Sequence, residues 1–246
     1  YTYDPAGDLI QRDMGNGTRT VSTFDSRGSV LSIRNYAPNH ATVNSFDDYT
    51  YSAQGSVLTD TNQDGQWSYA YDSDNQLVRA VFTPNRTDPD GLTGQDLQYV
   101  YDAAGNRESE TVNGVNTTYV VNNVNEYTSS VTNGVPTNYQ YDADGNLIGQ
   151  STGSSTATYT FNVLNQLTAS HGPTMKASYT YDARGNLVSQ MVAGVATTFQ
   201  IDPLGFGNVV AAYDSIGSLK VRYTYGLGLV SQVSVLGAAG YYDYNN

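Results

Sequence analysis

Apolar and polar positions along this chain fall into short runs that recur at a fixed interval. Val195-Ala196-Thr197-Thr198-Phe199-Gln200-Ile201 is typical: rich in β-branched and aromatic residues, bounded by turn signals, and too short for a helix. No segment sustains helical periodicity. Between Tyr139 and Thr198 the pattern is a twenty-residue cassette. Tyr139-Gln140-Tyr141-Asp142-Ala143-Asp144-Gly145-Asn146-Leu147 returns as Tyr179-Thr180-Tyr181-Asp182-Ala183-Arg184-Gly185-Asn186-Leu187, with a weaker copy centred on Tyr159 and Phe161. Tyr101-Asp102 with Gly105 belongs to the same register, which holds a step of twenty from Tyr101 to Ile201. Repetition at such a period marks an array of small units that cannot stand alone and bury their apolar faces only in company.

Each cassette carries two kinds of turn. In Asp-x-x-Gly-Asn the aspartate accepts hydrogen bonds from the backbone ahead of it, and the glycine takes the positive φ that closes a type I turn with a bulge. The other kind is Asn113-Gly114, Asn133-Gly134 or Ala193-Gly194, flanked by valines, which fits a two-residue hairpin of the primed type. One cassette is therefore strand, tight turn, strand, bulged turn. The predicted fold is all-β: a long antiparallel hairpin meander over residues 1–246 as one continuous array, with degenerate repeats over 202–246. Because strongly twisted open sheets rarely exceed about ten strands before curling or splitting, the meander is expected to curve or spiral into a wall. Columns of aromatic residues, such as Tyr139, Tyr159, Tyr179 and Phe199, are expected to line up across it. The chain opens and stops inside a cassette and reads as a piece of something longer.

Composition follows from the repeat. The 22 tyrosines, against 6 phenylalanines and one tryptophan, sit mostly at Tyr-x-Tyr positions. With 23 Asp and Glu against 11 Lys and Arg, the formal charge is -12. An acidic surface repels phosphate backbones and anionic lipid, which argues against nucleic acid and membrane partners. No apolar run approaches the roughly 18 residues of a membrane helix. There is no cysteine, so thiolate and disulfide chemistry are excluded.

Tyr141-Asp142-Ala143-Asp144-Gly145-Asn146-Leu147 and its copy at Tyr181 resemble the YD repeats of the RHS (rearrangement hotspot) proteins, and the resemblance covers essentially the whole chain. That family includes bacterial polymorphic toxins, the cocoon subunits of insecticidal toxin complexes and the animal teneurins. The resemblance implies a β-sheet spiralling into a hollow shell, which in bacterial members holds a C-terminal toxic domain released by an aspartate-based self-cleavage site. Asp202 to Gln232 resembles the stretch before the conserved core of such shells. Asp202-Pro203-Leu204-Gly205-Phe206 superficially resembles the cleavage site, but it lies in cassette register with repeat-like sequence after it and reads as a degenerate turn.

Few residues offer chemistry of their own. Asp60-x-Asn62-x-Asp64-Gly65 matches the opening of a calcium loop, with oxygen ligands at alternate positions and glycine at the bend. Its twelfth position is Tyr71 rather than a bidentate glutamate, and a polar hairpin tip is the plainer reading. No other cofactor is expected. Asp88, Asp90 and Asp96 could form a second oxygen-rich cluster. His40 and His171 lack a companion ligand, and Asn85-Arg86-Thr87 and Asn116-Thr117-Thr118 match glycosylation sequons. Trp67 reads as packing.

The residues singled out as structural are Tyr101, Asp102, Gly105, Tyr139, Tyr141, Asp142, Gly145, Tyr179, Tyr181, Asp182 and Gly185, and no catalytic constellation rises above them. The function expected is a non-catalytic segment of an RHS-type shell that encloses or presents a C-terminal effector of its parent chain. Secretion or display at a bacterial surface would follow, with a cytoplasmic stage before export. The alternative is an extracellular adhesin or fibre module that binds glycan or protein through exposed tyrosines, with open strand edges joining chains end to end.

Overall fold

The computed structural model describes residues 1–85, 92–204, 207–226 and 228–241. Among them every regular element is a strand, so no helix there is long and apolar enough to cross a membrane. Contacts gather into two compact units, one of residues 1–118 and a second that begins at Tyr119.

The first unit runs through β1 (Thr2–Tyr3), β2 (Leu9–Asp13), β3 (Arg19–Phe24), β4 (Val30–Tyr36), β5 (Val43–Tyr51), β6 (Val57–Asn62), β7 (Gly65–Tyr71), β8 (Leu77–Pro84), β9 (Gln95–Tyr101), β10 (Arg107–Val112) and the start of β11 (Val115–Val121). Each strand pairs antiparallel with the next. The second unit continues with β12 (Tyr127–Thr132), β13 (Val135–Tyr141), β14 (Leu147–Thr152), β15 (Ser155–Phe161), β16 (Leu167–His171), β17 (Lys176–Tyr181), β18 (Leu187–Val192), β19 (Val195–Ile201), β20 (Val209–Tyr213), β21 (Leu219–Tyr225), β22 (Leu229–Ser234) and β23 (Ala239–Tyr241). From β12 on, successive strands again pair antiparallel. The hairpin meander expected from the cassettes is the architecture of both units.

The two turn chemistries close opposite ends of the strands. At one end Asn113 (φ 50°) and Gly114 (84°), Asn133 (51°) and Gly134 (77°), and Ala193 (50°) and Gly194 (82°) form two-residue tips with both residues left-handed. This backbone twist matches that of the flanking strands. At the other end each Asp turn introduces a bulge. Gln140 pairs with Gly149 but Tyr141 with Leu147, which leaves Ile148 as an extra residue.

The bulge keeps the alternation in phase from one cassette to the next. Along β13 the residues Thr137, Tyr139 and Tyr141 are half-buried, while Pro136, Asn138 and Gln140 face solvent. β15 and β21 repeat that pattern of half-buried and exposed positions.

The phase changes once. The marker step falls from twenty residues to twelve between Ile201 and Tyr213, so only β20 separates the Asp202 turn from the Asp214 turn. The Asp214 turn therefore closes the end of the strands that two-residue tips close in earlier cassettes.

Little is laid over either sheet. The accessible surface is 14917 Å², more than the about 12,900 Å² that two separate globular bodies of half this mass would expose. Among the described residues buried apolar side chains are few: Ile33 and Phe82 are the bulkiest of the first unit, and Ala177, Ala211 and Ala212 represent the second.

Candidate functional site: the tyrosine face and its turns

The recurring tyrosines occupy one face, where they are half-buried and tied down. Tyr71, Tyr101 and Tyr181 each donate their hydroxyl, at 2.9 Å, to the carbonyl of the first residue of the preceding strand: Val57, Leu77 and Leu167. Tyr51 and Tyr225 do the same to Val30 (2.6 Å) and Val209 (3.0 Å). These carbonyls lie beyond the last cross-strand pair, Thr59 with Ser68 in the case of Val57. The phenol supplies the partner that the ladder does not, and each cassette is thereby fastened to the one before it.

The first tyrosine of each Tyr-x-Tyr meets a small or polar residue across the strand. Tyr139 pairs with Gln150, Tyr159 with Ser170 and Tyr179 with Gln190, and the Tyr139 hydroxyl lies 3.0 Å from Ser130 Oγ. The aromatic columns expected from the sequence are present, but their members stand two strands apart, about 9.6 Å. Direct ring-to-ring packing along the column is replaced by packing against the intervening strand. Ring contacts occur instead within a cassette or hairpin, as Trp67 with Tyr69 (centroids 6.2 Å) and Phe82 (5.2 Å) and Tyr119 with Tyr127 (5.0 Å).

At the Asp turns the carboxylate organises its own backbone. Asp102 Oδ1 accepts from the N–H of Ala104 and of Asn106, both at 2.8 Å, while Oδ2 accepts from Asn106 Nδ2 at 3.0 Å. Asp142 and Asp182 repeat this with Asp144 and Asn146, and with Arg184 and Asn186. Donation from the asparagine side chain, followed by its backbone N–H, holds all three carboxyls below the ordinary range.

Gly105, Gly145 and Gly185 take φ of 85°, 82° and 86°. A second demand falls on Gly105 and Gly185, where a Cβ would meet Gln76 Nε2 at 3.1 Å and Gln166 Nε2 at 3.2 Å; at Gly145 it would make only an ordinary 3.6 Å contact with Glu126 Oε1. Asn146 Nδ2 also donates to Asn165 Oδ1, 3.0 Å away in the next turn. The side chain that follows the left-handed residue of a turn, whether Asn75, Asn125 and Asn165 or Gly145, thus reaches the following turn, and a rail of amides and carboxylates runs along this end of the strands. Sequence reasoning passed over it, although its signal is plain: Asn, Gln or Glu recurs at that one position.

The proposed calcium ligands are placed differently from one another. Asn62 Oδ1 accepts from the N–H of Asp64 (3.0 Å) and of Gly65 (3.2 Å), which shapes the hairpin tip. Asp60 lies within β6 on the tyrosine face, between Tyr49 and Trp67. Its Oδ1 is shut off from solvent without a hydrogen-bond partner. Gly65 is not left-handed; a Cβ there would lie 2.3 Å from Thr83 O. Among the described residues no group of three or more His, Cys, Asp or Glu is placed to hold a metal.

Asp60 and the nearly inaccessible Asp47 (3% exposed) form a carboxyl pair that the sequence did not announce. Burial raises both pKa values; Asp47 raises that of Asp60 further, whereas the Asn62 side chain and Arg34 partly offset the rise at Asp47. The same face carries a buried polar ladder, in which Thr20 Oγ1 donates to Asn35 Oδ1 (2.7 Å) and Asn35 Nδ2 to Ser45 Oγ (2.9 Å).

Of the remaining candidates, Asp96 is held by Arg79 through two 2.9 Å bonds, while Asp88 and Asp90 lie outside the described residues. So do Arg86 and Thr87 of the first sequon; in the second, Asn116 Nδ2 donates to Thr111 Oγ1 at 3.1 Å. His40 Nε2 lies 2.9 Å from Gly17 O, and His171 ends β16 opposite Lys176. Asp202 Oδ1 accepts from Leu204 N–H at 2.8 Å, and Asp202 N–H donates to Asn208 O, two residues further along than in the other Asp turns; Gly205 and Phe206 lie outside the described residues.

Comparison with known proteins places this geometry. The family described as Teneurin YD-shell matches residues 106–228, half of the chain. No curated protein matches it. Among solved structures, the crystal structure of TcdB2-TccC3 matches with a TM-score of 0.50 at 14% identity, covering 93% of this chain and 16% of that one. The same complex without its hypervariable C-terminal region matches at 0.49 and 14%, covering 98% and 16%. The likeness is one of fold, and this chain spans a small part of the length of those it matches.

Proposed function

The chain belongs to the YD-shell family, and from that premise we propose that it is a non-catalytic wall segment, part of an enclosure that holds or presents a polypeptide cargo. The observation that carries this reading is where the recurring residues are engaged. Tyrosine hydroxyls are taken up by backbone carbonyls, turn aspartates by their own backbone, and turn glycines by the side chain of the preceding turn. Residues committed in this way build a surface and leave little to act on a substrate. The half-buried tyrosines with occupied hydroxyls also fit a wall better than a glycan-binding platform.

The proposed partner is an effector domain of the parent chain. The proposed setting is secretion or cell-surface display in bacteria, as the toxin-complex fold suggests. The curved or spiralled course of residues 1–246, and the assignment of 202–246 to a pre-core region, belong to the same proposal.

Expressing the parent gene, read on beyond codon 246, tests it. A downstream domain that resists protease while the repeat region is folded, and is digested once that region is unfolded, is the expected result. A downstream product digested at the same rate in both states would overturn the enclosure.

A further inference from the structure

Turn tips of the second unit carry large apolar side chains in the open, on both ends of the strands. At the Asp-turn end Val163 is 99% exposed, Leu164 70% and Leu204 81%; at the opposite end Met175 is 53% exposed, Ile216 86% and Leu236 92%. The equivalent positions of the first unit are small or polar, as in Ser73-Asp74 and Ala103-Ala104. Scattered apolar residues on a surface need no explanation, but aligned rows of them mark contact surfaces.

The two rows match in spacing. The Val163-Leu164 turn joins β15 to β16 and the Leu204 turn joins β19 to β20, four strand spacings apart. Met175 lies between β16 and β17 and Ile216 between β20 and β21, again four spacings. At about 4.8 Å per strand both separations are about 19 Å.

The rows also match in charge. The Asp-turn end presents Glu126, Asp142, Asp144, Asp182 and Asp202 against Arg184. The two lysines of this strongly acidic chain, Lys176 and Lys220, stand beside Met175 and just beyond Ile216 at the other end, where Asp214 is the one carboxylate among the described turn residues and Lys220 Nζ donates to Thr197 Oγ1 at 3.3 Å.

We infer that the Asp-turn end of the second unit docks on the tip end of the second unit of another copy of this chain, apolar tip on apolar tip and carboxylate beside lysine. The contact joins unlike surfaces, so it leaves one of each free and extends from copy to copy. Salt weakens it, because the charged groups are exposed.

Sedimentation velocity of the 246-residue chain over a dilution series, at low and high salt, reads the association. Two double variants separate the ends: Leu164→Asp with Leu204→Asp, and Met175→Asp with Ile216→Asp. Each alone is expected to associate at least about tenfold more weakly than the parent chain, since a charge is forced into the apolar contact. Mixed in equal amounts, they form a dimer that grows no further, because each keeps the surface the other has lost. Far-ultraviolet circular dichroism checks that both remain folded. Lys176→Glu, which leaves the apolar tips intact, is expected to weaken association and reduce its salt dependence. A parent chain that stays monomeric throughout, double variants that assemble as well as the parent, or a mixture that stays monomeric would each overturn the proposal.

Discussion

Gly65 provides the sharpest test of how these hairpins are packed. The sequence suggested the glycine of a calcium loop, required for its bend, but the residue begins β7 opposite Pro84 and is not left-handed. What demands glycine is the neighbouring strand. A Cβ would sit 2.3 Å from Thr83 O and 2.8 Å from two ring carbons of Phe82, itself 6% exposed and packed on Trp67. To accept Gly65→Ala, β8 must withdraw by about 1 Å, an overpacking strain worth about 1–3 kcal/mol. Withdrawal also stretches the 3.0 Å bond from Asn85 N to Asp64 O, worth about 1 kcal/mol. Alanine's better fit to a strand returns about 0.5–1 kcal/mol. The expected net loss is about 1–3.5 kcal/mol.

Gly172→Ala is the control. Its Cβ would make only an ordinary 3.5 Å contact with Met175 O, and its φ is not left-handed, so a change within about 0.5 kcal/mol is expected. Urea unfolding followed by fluorescence is local for the first substitution, because the only tryptophan, Trp67, touches Phe82. Circular dichroism follows the second. A Gly65→Ala transition within about 0.5 kcal/mol of the parent would refute the close-approach account.

Tyr71→Phe removes the hydroxyl that caps Val57 O and is expected to cost about 0.5–1.5 kcal/mol in the Trp67 transition; no change would show that water replaces the phenol freely. Asp47 and Asp60 have raised pKa values, so the stability they contribute is complete below the ordinary value of 3.8 and is lost as pH rises through the raised ones. Asp60→Asn should therefore unfold at higher urea than the parent at neutral pH and lose part of that pH dependence. Asp102, Asp142 and Asp182 act with the opposite sign: their contribution is present above 3.8 and disappears as pH falls through their lowered values. Asp142→Asn should flatten the acid limb of a melting curve followed by circular dichroism. Calcium should leave the Trp67 transition where it is, since Asn62 Oδ1 already accepts two backbone N–H groups; a calcium-dependent rise would restore the loop reading.

Much of the fold was legible in the residues because its determinants are local. Asn113-Gly114 specifies a left-handed two-residue tip, and Asp142-x-x-Gly145 specifies a turn whose carboxylate binds the backbone within four residues. Repeated along the chain, such signals fix strand ends and register with no knowledge of what lies across the sheet. What the sequence could not convey depends on neighbours distant in the chain. Gly65 looks like a bend residue until Thr83 is laid beside it. The tyrosine columns look like ring stacks until the even-numbered strands are set between them. Asp60 looks like a tip ligand until its register places it beside Tyr49 and Trp67, near the buried Asp47. Turn type and alternation depend on φ preferences and side-chain bonds spanning a few residues, and so belong to the sequence. Close approach, burial and the pKa of a carboxyl depend on what the register brings alongside, and only the folded sheet decides them.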